Sequence, residues 1–330
     1  MKFIAYNVQG YEEKAFEKWS KDNGVEITWV RDLITPETIE QAKGYDGIST
    51  QQVPPVKDEE IFKKCKEYGV KQISSRTAGV DMFDLELARK YDVTITNVPR
   101  YSPTSIAELA VTHAMSLLRN VKRIENAMKE GDFSWAQRVI SKTIGSCTVG
   151  IVGTGFIGLT AAKLFKALGA NVIGYDVFKN PEAEGVLEYR DELDDLLKES
   201  DIVSLHLPLF DSTYHLLNEK NIPLIRDGGI VINTGRGALI DMDALLPHLE
   251  SGRLSAGVDV LEIETLYVNQ NIDPEKIKDT YIPKLMELEN VRLTGHFAFF
   301  TEEAVEALVS TSLDNIKAEI ETGAAQNQRN

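Results

Sequence analysis

The stretch that decides the fold is TVGIVGTGFIGLTAAKLFKAL, residues 148–168. A short β-branched strand, an amphipathic helix over Leu159–Leu168 and a glycine-rich turn between them are predicted from it. The turn consists of Gly153, Thr154, Gly155, Phe156, Ile157 and Gly158. Its first glycine allows a tight turn, its second lets a pyrophosphate approach the backbone, and its third lets the helix pack on the strand. The helix N-terminus would then supply N–H groups to the phosphates.

An acidic residue stands where a dinucleotide site needs one. Asp176 follows the next β-branched run, Val172–Tyr175, at the expected distance of about 20 residues. A carboxylate there accepts hydrogen bonds from the ribose hydroxyls of NAD and repels the 2′-phosphate of NADP. Val177 and Phe178 follow it rather than an arginine. A glycine turn in an unrelated α/β protein is the weaker interpretation, and NAD is the predicted cofactor.

Short apolar runs alternate with amphipathic segments along the whole chain, as strands buried in parallel sheets do. The predicted strands are Phe3–Tyr6, Ile27–Val30, Gln72–Ser75, Val93–Thr96, Thr148–Val152, Asn171–Tyr175, Asp201–Leu205, Gly229–Asn233, Ser255–Val258 and Val291–Thr294. Two prolines, Pro99 and Pro103, interrupt the rhythm before a long apolar helix from Ile106 to about Arg119. Thr104 or Ser105 is predicted to cap this helix, which would cross between two domains.

Composition narrows the class of protein. The 330 residues are 43% hydrophobic and 26% charged, as in a globular protein, and their net charge is −15. This charge disfavours nucleic acid and anionic membrane surfaces as partners. No stretch approaches the ~20 apolar residues of a membrane span, and the N-terminal apolar run is too short for a signal peptide. Cys65 and Cys147 have no metal or redox spacing and are predicted to be packing residues of a cytoplasmic protein.

Three further segments follow predicted strands of the second half. Arg236 lies between two glycines, and its guanidinium could hold a carboxylate and a ketone oxygen. Asp259 leads into the acidic Glu262 and Glu264, and His296 follows the last strand. Singly, the histidine is more often structural than catalytic, and the glutamates could be surface charges. Together with a nicotinamide, however, a proton donor and a cation are what hydride transfer to a ketone requires.

At this point the sequence resembles the D-isomer-specific 2-hydroxyacid dehydrogenases along essentially its whole length, and most closely their bacterial D-lactate-specific members. The matching segments are Arg76–Asp81, Asn97–Pro99 with Tyr101–Pro103, Ile106–Glu108, Gly153–Gly158, Ser204–Pro208, Asn233–Gly237, Asp259–Glu264 and His296. The resemblance implies that His296 is the acid/base, with Glu264 as its carboxylate partner. It also implies that Arg236 binds the substrate, and that the amides of Ala78 and Gly79 hold the substrate carboxylate.

The same resemblance implies the remaining contacts and the architecture. Around the substrate side chain it places Tyr101 and Phe299; near the nicotinamide, Thr234, Gly235 and Asp259; and near the adenosine, His206 and Pro208. The implied fold is α/β, with two Rossmann- or flavodoxin-like doubly wound parallel-sheet domains joined by two hinges. The substrate domain would be residues 1–99 and 299–330, including a last helix from Thr301 to about Thr322, and the NAD-binding domain residues 100–298. A homodimer through the cofactor domain is implied, with Ile106–Arg119 and its neighbours as apolar surface.

Two residues depart from the family pattern. Gly295 stands where proline commonly precedes the histidine, and glycine loosens the backbone that aims the imidazole. Thr50 stands where D-lactate members usually carry tyrosine, and a smaller residue there would admit larger 2-keto acids.

Interconversion of pyruvate and D-lactate is the favoured activity. The alternative is a broad 2-keto acid reductase of the D-2-hydroxyisocaproate or phenyllactate type. Phosphoglycerate dehydrogenase is disfavoured because the chain has no regulatory domain, and formate dehydrogenase because Glu264 is present. A non-enzymatic NAD-sensing protein of the corepressor type has the same fold and remains a minor alternative.

Overall fold

The computed structural model of the chain describes residues 1–52, 54–135 and 139–330. These residues form two α/β units, each built on its own parallel sheet. Unit 1 comprises Met1–Ser102 and Phe300–Asn330, and unit 2 comprises Pro103–Phe299. The sequence placed the first boundary after residue 99, whereas the structure places it after Ser102 because the first helix of unit 2 begins at Pro103.

The described residues of unit 1 form five strands and four α-helices. They are β1 (Lys2–Tyr6), α1 (Glu13–Asn23), β2 (Glu26–Trp29), β3 (Gly47–Thr50), α2 (Glu59–Tyr68), β4 (Gln72–Ser75), α3 (Leu85–Lys90), β5 (Thr94–Thr96) and α10 (Glu302–Thr322). The sheet is parallel, with the strand order β2-β1-β3-β4-β5. This is the flavodoxin-like order, whose switch point lies between β1 and β3.

Helix α10 supplies part of the core of unit 1, although it is far from the sheet in sequence. Its Val309, Leu313 and Ile316 pack in one buried cluster with residues of β1 and α1, Phe3 and Phe16 among them. A Cβ at Gly47 would lie 2.3 Å from the Cγ2 atom of Ile316. Only glycine at that position therefore lets the helix approach β3 so closely.

In unit 2, the residues that the structure describes form seven strands and six α-helices. They are α4 (Pro103–Leu118), α5 (Val121–Lys129), β6 (Thr148–Val152), α6 (Phe156–Ala167), β7 (Asn171–Tyr175), β8 (Glu188–Tyr189), α7 (Leu193–Glu199), β9 (Ile202–Leu205), β10 (Ile230–Asn233), α8 (Met242–Glu250), β11 (Ser255–Val258), α9 (Ile282–Glu287) and β12 (Val291–Leu293). The sheet is parallel with the order β12-β11-β10-β9-β6-β7-β8. This is the Rossmann order with a seventh strand added at one edge.

The predicted fold class, two doubly wound parallel sheets, is confirmed. Some predicted boundaries are wrong. Helix α6 begins at Phe156 rather than Leu159, since Gly155 is its N-cap. Helix α4 begins at Pro103, so Thr104 and Ser105 lie in its first turn instead of capping it, because proline suits the start of a helix.

Side-chain burial tests two further expectations. Both cysteines are buried and free, as predicted for packing residues. The apolar face of α4, expected to be available to a second copy, is instead buried in unit 2: Ala110, Ala114 and Leu117 pack with α6 and the sheet.

No described helix is long and apolar enough to cross a bilayer, and the described residues contain no cluster of three or more His, Cys, Asp or Glu suited to a metal ion.

Candidate active site

The glycine turn after β6 is shaped by close backbone contacts. Gly153 has φ +91°, and a Cβ there would lie 2.8 Å from the carbonyl oxygen of His206. A Cβ at Gly158 would lie 1.9 Å from the carbonyl oxygen of Gly153. At Gly155, by contrast, a Cβ would meet nothing within 4 Å. The first and third glycines are thus required by packing, whereas the second borders open space where a ligand can approach.

The start of α6 and the end of β7 complete the nucleotide side of the turn. Among the described residues, no side chain caps α6, whose first residues are Phe156 and Ile157. Asp176, directly after β7, accepts hydrogen bonds through Oδ2 from the backbone N–H of Thr154 at 2.6 Å and through Oδ1 from that of Phe178 at 3.0 Å. An uncapped helix N-terminus, an open glycine and a carboxylate at this distance fit the pyrophosphate and ribose of NAD.

Two buried polar atoms follow the neighbouring strands β9 and β10. Nε2 of His206 lies 2.9 Å from Oγ of Ser204, while Nδ1 has no protein partner among the described residues. Burial lowers the pKa of His206 to about 4, so the ring is neutral at neutral pH. The hydroxyl of Thr234 is also buried and unpartnered within the described chain. Such atoms in a native structure indicate a missing ligand or water; Pro208 lies exposed just beyond.

Arg236 follows β10 in a loop that is held from inside. The side chain of Asn233 accepts from the N–H of Gly235 at 3.0 Å and donates to the carbonyl of Arg236 at 2.8 Å. A Cβ at Gly237 would lie 2.0 Å from the carbonyl carbon of Leu261, so the loop packs directly on the backbone after β11. Nη1 of Arg236 donates to the carbonyl of Gly235 at 2.9 Å. The described residues place no carboxylate within ion-pair distance of this guanidinium.

His296 and Glu264 form the pair that the sequence proposed. Glu264 begins a single 3₁₀ turn after β11, and its Oε2 lies 3.0 Å from Nδ1 of His296. The side chain of Glu264 is 25% exposed, and that of His296 is 31% exposed. A carboxylate on Nδ1 orients the ring and stabilises its charged form. Nε2 has no hydrogen-bond partner in the described parts of the chain, so it is available for a proton.

His296 sits in a left-handed backbone conformation, with φ +66°. A side-chain-bearing residue adopts this conformation rarely and only when its surroundings hold it there. Asp259 provides that support: its carbonyl accepts from the N–H of His296 at 2.7 Å, and its fully buried carboxylate accepts from those of Phe297 and Ala298, both at 2.9 Å. The resemblance places Asp259 near the nicotinamide; in the structure both of its carboxylate oxygens bond to the loop that carries the histidine.

A second support for this loop comes from Thr294 and His113, neither of which the sequence pattern indicated. The hydroxyl of Thr294 donates to Asp259, and Nε2 of His113 on α4 lies 3.2 Å from that hydroxyl oxygen. Burial lowers the pKa of His113, while the negative charge of Asp259 acts in the opposite direction. A histidine within an apolar helix was the only available signal. Glu262, by contrast, is bonded to His215 at 3.0 Å and takes no part in the histidine pair.

Substrate-contact candidates of unit 1 lie at the carboxyl ends of its strands. Ala78 and Gly79 follow β4, and Tyr101 is half-buried after β5. Thr50 ends β3; it is fully buried, and its hydroxyl donates to Oε1 of Gln52 at 3.3 Å. Phe299 belongs to unit 2, with its ring edge-on to that of His296 at 6.3 Å between centroids. Within unit 2 the structure therefore gathers the phenylalanine with the histidine pair.

The chain is similar in sequence and in fold to known dehydrogenases. Residues 111–298 match the family model for the NAD binding domain of D-isomer specific 2-hydroxyacid dehydrogenases. The chain is 43% identical over 332 aligned positions to a D-2-hydroxyacid dehydrogenase (NAD(+)) of Clostridioides difficile, and 40% identical over 331 positions to a D-lactate dehydrogenase of Streptococcus pyogenes serotype M1, with all of both chains covered in each case. A solved D-2-hydroxyisocaproate dehydrogenase is similar with TM-score 0.94 and 37% identity, covering 100% of this chain and 99% of the other.

A Rossmann sheet with a NAD-type glycine turn and a carboxylate-paired histidine defines an NAD-binding oxidoreductase. More specifically, the chain belongs to the D-isomer specific 2-hydroxyacid dehydrogenase family, and it is an NAD-dependent D-2-hydroxyacid dehydrogenase.

Proposed function

We propose that this chain reduces pyruvate to D-lactate and catalyses the reverse oxidation. The observation that carries the proposal is the His296 imidazole, which is bonded to Glu264 at 3.0 Å through Nδ1 and has an available Nε2. A carboxylate-held imidazole is a proton donor suited to a ketone oxygen that becomes a hydroxyl. When bound, NADH supplies the hydride. In the reverse direction the same Nε2 takes the hydroxyl proton.

Arg236 binds the substrate and stabilises charge in this mechanism. Its guanidinium can hold the carboxylate by paired N–H bonds and oppose negative charge that develops on the ketone oxygen. The chain carries a net charge of −15, so a local cation is needed to attract a small anion. The absence of an ion pair at Arg236 among the described residues leaves its charge for the ligand.

The amides of Ala78 and Gly79 hold the same carboxylate from unit 1. The residues that we propose for contact with the substrate side chain are Tyr101 in unit 1 and Phe299, whose ring lies edge-on to that of His296, in unit 2. Backbone N–H groups suit this role because they are strong donors without charge and cost little reorganisation.

A broad 2-keto acid reductase of the D-2-hydroxyisocaproate or phenyllactate type is the second candidate. Thr50 supports it, because threonine removes the bulk of the tyrosine that D-lactate members usually carry at this place. Likeness to a solved D-2-hydroxyisocaproate dehydrogenase points the same way. The two candidates share a mechanism and differ only in the side chain that the pocket accepts.

NADH oxidation with pyruvate, phenylpyruvate and 2-ketoisocaproate tests the proposal, with kcat/KM compared and the chirality of the product determined. The highest kcat/KM for pyruvate, with D-lactate as product, is the expected result. A preference for the bulky acids would transfer the assignment to the second candidate. No turnover of any 2-keto acid by a chain that binds NADH would contradict both and favour the NAD-sensing alternative. A His296→Asn variant should bind NADH but lose most turnover.

The partner that we propose for helix α5 is a second copy of this chain. No residue of helix α5 is fully buried. The exposed apolar side chains on it and just after it are Val121, Ile124, Met128, Phe133, Trp135 and Ile140. Proteins that act as monomers rarely leave such patches uncovered. Light scattering should show that the wild type is a dimer and that Ile124→Glu weakens it. The control Leu168→Glu, which changes an exposed apolar residue elsewhere, should leave the dimer intact. A monomeric wild type would contradict this proposal.

A further inference from the structure

Residues 327–330, here called the edge segment, add to the free edge of the sheet of unit 1. Gln328 forms an antiparallel bridge with the last residue of β5. The N–H of Arg329 donates to the carbonyl of Ile95 at 2.9 Å. The side chain of Asn330 accepts from the N–H of Ile95 and donates to the carbonyl of Val93, just before the strand. These residues, which in the sequence are only a polar run, therefore cover a strand edge that would otherwise be open.

The edge segment also reaches the residue that follows β5, Asn97, which is 2% exposed. Nε of Arg329 donates to Oδ1 of Asn97 at 2.8 Å, and the N–H of Asn97 donates to the carbonyl of Asn327 at 3.3 Å. With its oxygen held by Arg329, the amide of Asn97 must direct its NH₂ group the other way. That group donates to the carbonyl of Ala78.

The bond to Ala78 determines where the next amide points. A trans peptide is rigid and planar, so its C=O and N–H point in opposite directions. The carbonyl of Ala78 and the N–H of Gly79 belong to one such peptide. Asn97 therefore aims the Gly79 N–H by holding the Ala78 carbonyl. In the same way, the N–H of Val98 holds the carbonyl of Thr77 at 2.9 Å and so aims the Ala78 N–H.

The beginning of this loop is anchored independently. Arg76 is fully buried, with Nε 2.8 Å from Oε1 of Glu12 and Nη1 3.0 Å from Oγ of Ser49. A buried, fully bonded guanidinium moves little, because breaking its ion pair leaves an uncompensated charge. Changes at the edge segment should therefore act on the two peptides after Thr77 without moving the end of β4.

We propose that Arg329 and Asn97 are positioning residues for substrate binding: the edge segment, through the Asn97 amide, holds the Ala78–Gly79 peptide so that its N–H faces the 2-keto acid carboxylate. The inference rests on the proposed role of these two amides. It assigns Arg329 to the affinity for the acid, although Arg329 itself does not contact the substrate. It also makes the binding of NADH, which occurs in unit 2, independent of the edge segment.

Three variants test this chain of contacts. Asn97→Asp retains an oxygen for Arg329 but has no N–H for Ala78, and its second oxygen repels that carbonyl. KM for pyruvate should rise about tenfold, which corresponds to the loss of one hydrogen bond, and kcat should change less. Arg329→Ala should raise KM about threefold to fivefold on the same grounds, and Arg329→Lys should recover part of it. The NADH dissociation constant should stay within about twofold throughout.

Gln326→Ala is the matched control, because Gln326 is exposed next to the edge segment. It should leave KM and kcat unchanged. If wild type turns over pyruvate and neither Asn97→Asp nor Arg329→Ala changes KM, the positioning role is wrong while the proposed function stands. Should Asn97→Asp fail to fold, the exposed Arg329 still provides the test.

A measurement without turnover separates this inference from the proposed function. The backbone ¹⁵N order parameter of Gly79 should fall from the rigid range, about 0.85, towards about 0.6 in Arg329→Ala. It should be unchanged in Gln326→Ala. If wild type reduces no 2-keto acid, the proposed function fails, and the order parameter alone then decides whether the edge segment holds the Ala78–Gly79 peptide. An unchanged value in Arg329→Ala would overturn that coupling.

Discussion

Replacing Asp259 by asparagine should uncouple catalysis from cofactor binding. The carboxylate accepts three hydrogen bonds, from the Thr294 hydroxyl and the Phe297 N–H on Oδ1 and from the Ala298 N–H on Oδ2. Asparagine can satisfy the two on Oδ1, but its NH₂ group then faces the N–H of Ala298. That buried donor loses its acceptor, and the other two bonds lose their charged partner.

The magnitude follows from these contacts. An unsatisfied buried N–H costs about 1–3 kcal/mol, and weakening two charge-assisted bonds adds about 1 kcal/mol. A loss of about 2–4 kcal/mol lowers the unfolding midpoint of a unit of this size by about 5–10 °C. The loop that keeps His296 at φ +66° then relaxes, and a shift of about 1 Å in a catalytic group reduces the rate about a hundredfold.

Steady-state kinetics, NADH titration and thermal unfolding of Asp259→Asn test this prediction together. We expect kcat to fall about a hundredfold, with the NADH dissociation constant changed by less than about threefold. The control is Asp84→Asn in unit 1. Asp84 caps a helix by accepting a hydrogen bond from the N–H of Leu87. Asparagine caps a helix as well as aspartate does, so kcat and stability should be unchanged there. A kcat of Asp259→Asn close to that of wild type, despite a lowered midpoint, would refute the reasoning.

The other predictions concern the remaining charged groups. Glu264→Gln should lower kcat about tenfold to a hundredfold, because the hydrogen bond from protonated His296 then has a neutral acceptor in place of a carboxylate; a change mainly in KM would contradict that role. Arg236→Ala should lower kcat/KM for pyruvate about a thousandfold, since a paired charge contact to the substrate is removed, and NADH binding measured by fluorescence should persist. Asp176→Ala should raise the NADPH/NADH ratio of kcat/KM about tenfold, and an unchanged ratio would argue against the carboxylate as discriminator. The pKa of His206 is about 4 in the native state against 6.5 for the free side chain, so the unfolded chain binds a proton that the native one does not. Stability should therefore fall as pH drops from 6.5 towards 4, by at most about 3 kcal/mol, and urea unfolding of His206→Asn should lack this part of the pH dependence.

The residues of the candidate site that could be predicted from the sequence are those that follow a predicted strand. Arg236, Asp259 and His296 each follow a short, largely buried strand of unit 2. Parallel strands bring their carboxyl ends to one edge of the sheet. The structure pairs Asn233 with Val258 and Val258 with Leu293, so the residues after these strands are neighbours. The sequence pattern alone therefore predicts that these three residues lie near one another.

What sequence analysis missed is carried by polar contacts between distant residues. Strand β3 reads Gly-Ile-Ser-Thr, which has no apolar run, although all four residues are buried. Its Ser49 is satisfied by Ser312 at 2.7 Å and by Arg76, partners that only the tertiary fold supplies. The edge segment likewise has no hydrophobic period in the sequence, because its contacts are made by backbone pairing and asparagine side chains.

The place of α10 in unit 1 has a consequence for synthesis of the protein on the ribosome. The first sheet is complete in sequence by Thr96, yet the core that includes Val309, Leu313 and Ile316 must wait for some two hundred further residues, on the order of ten to forty seconds of translation. Unit 2 is continuous in sequence from Pro103 to Phe299 and can fold during that interval. Nascent chains should therefore expose the uncovered face of the first sheet, and chaperones would meet it there before the last helix emerges.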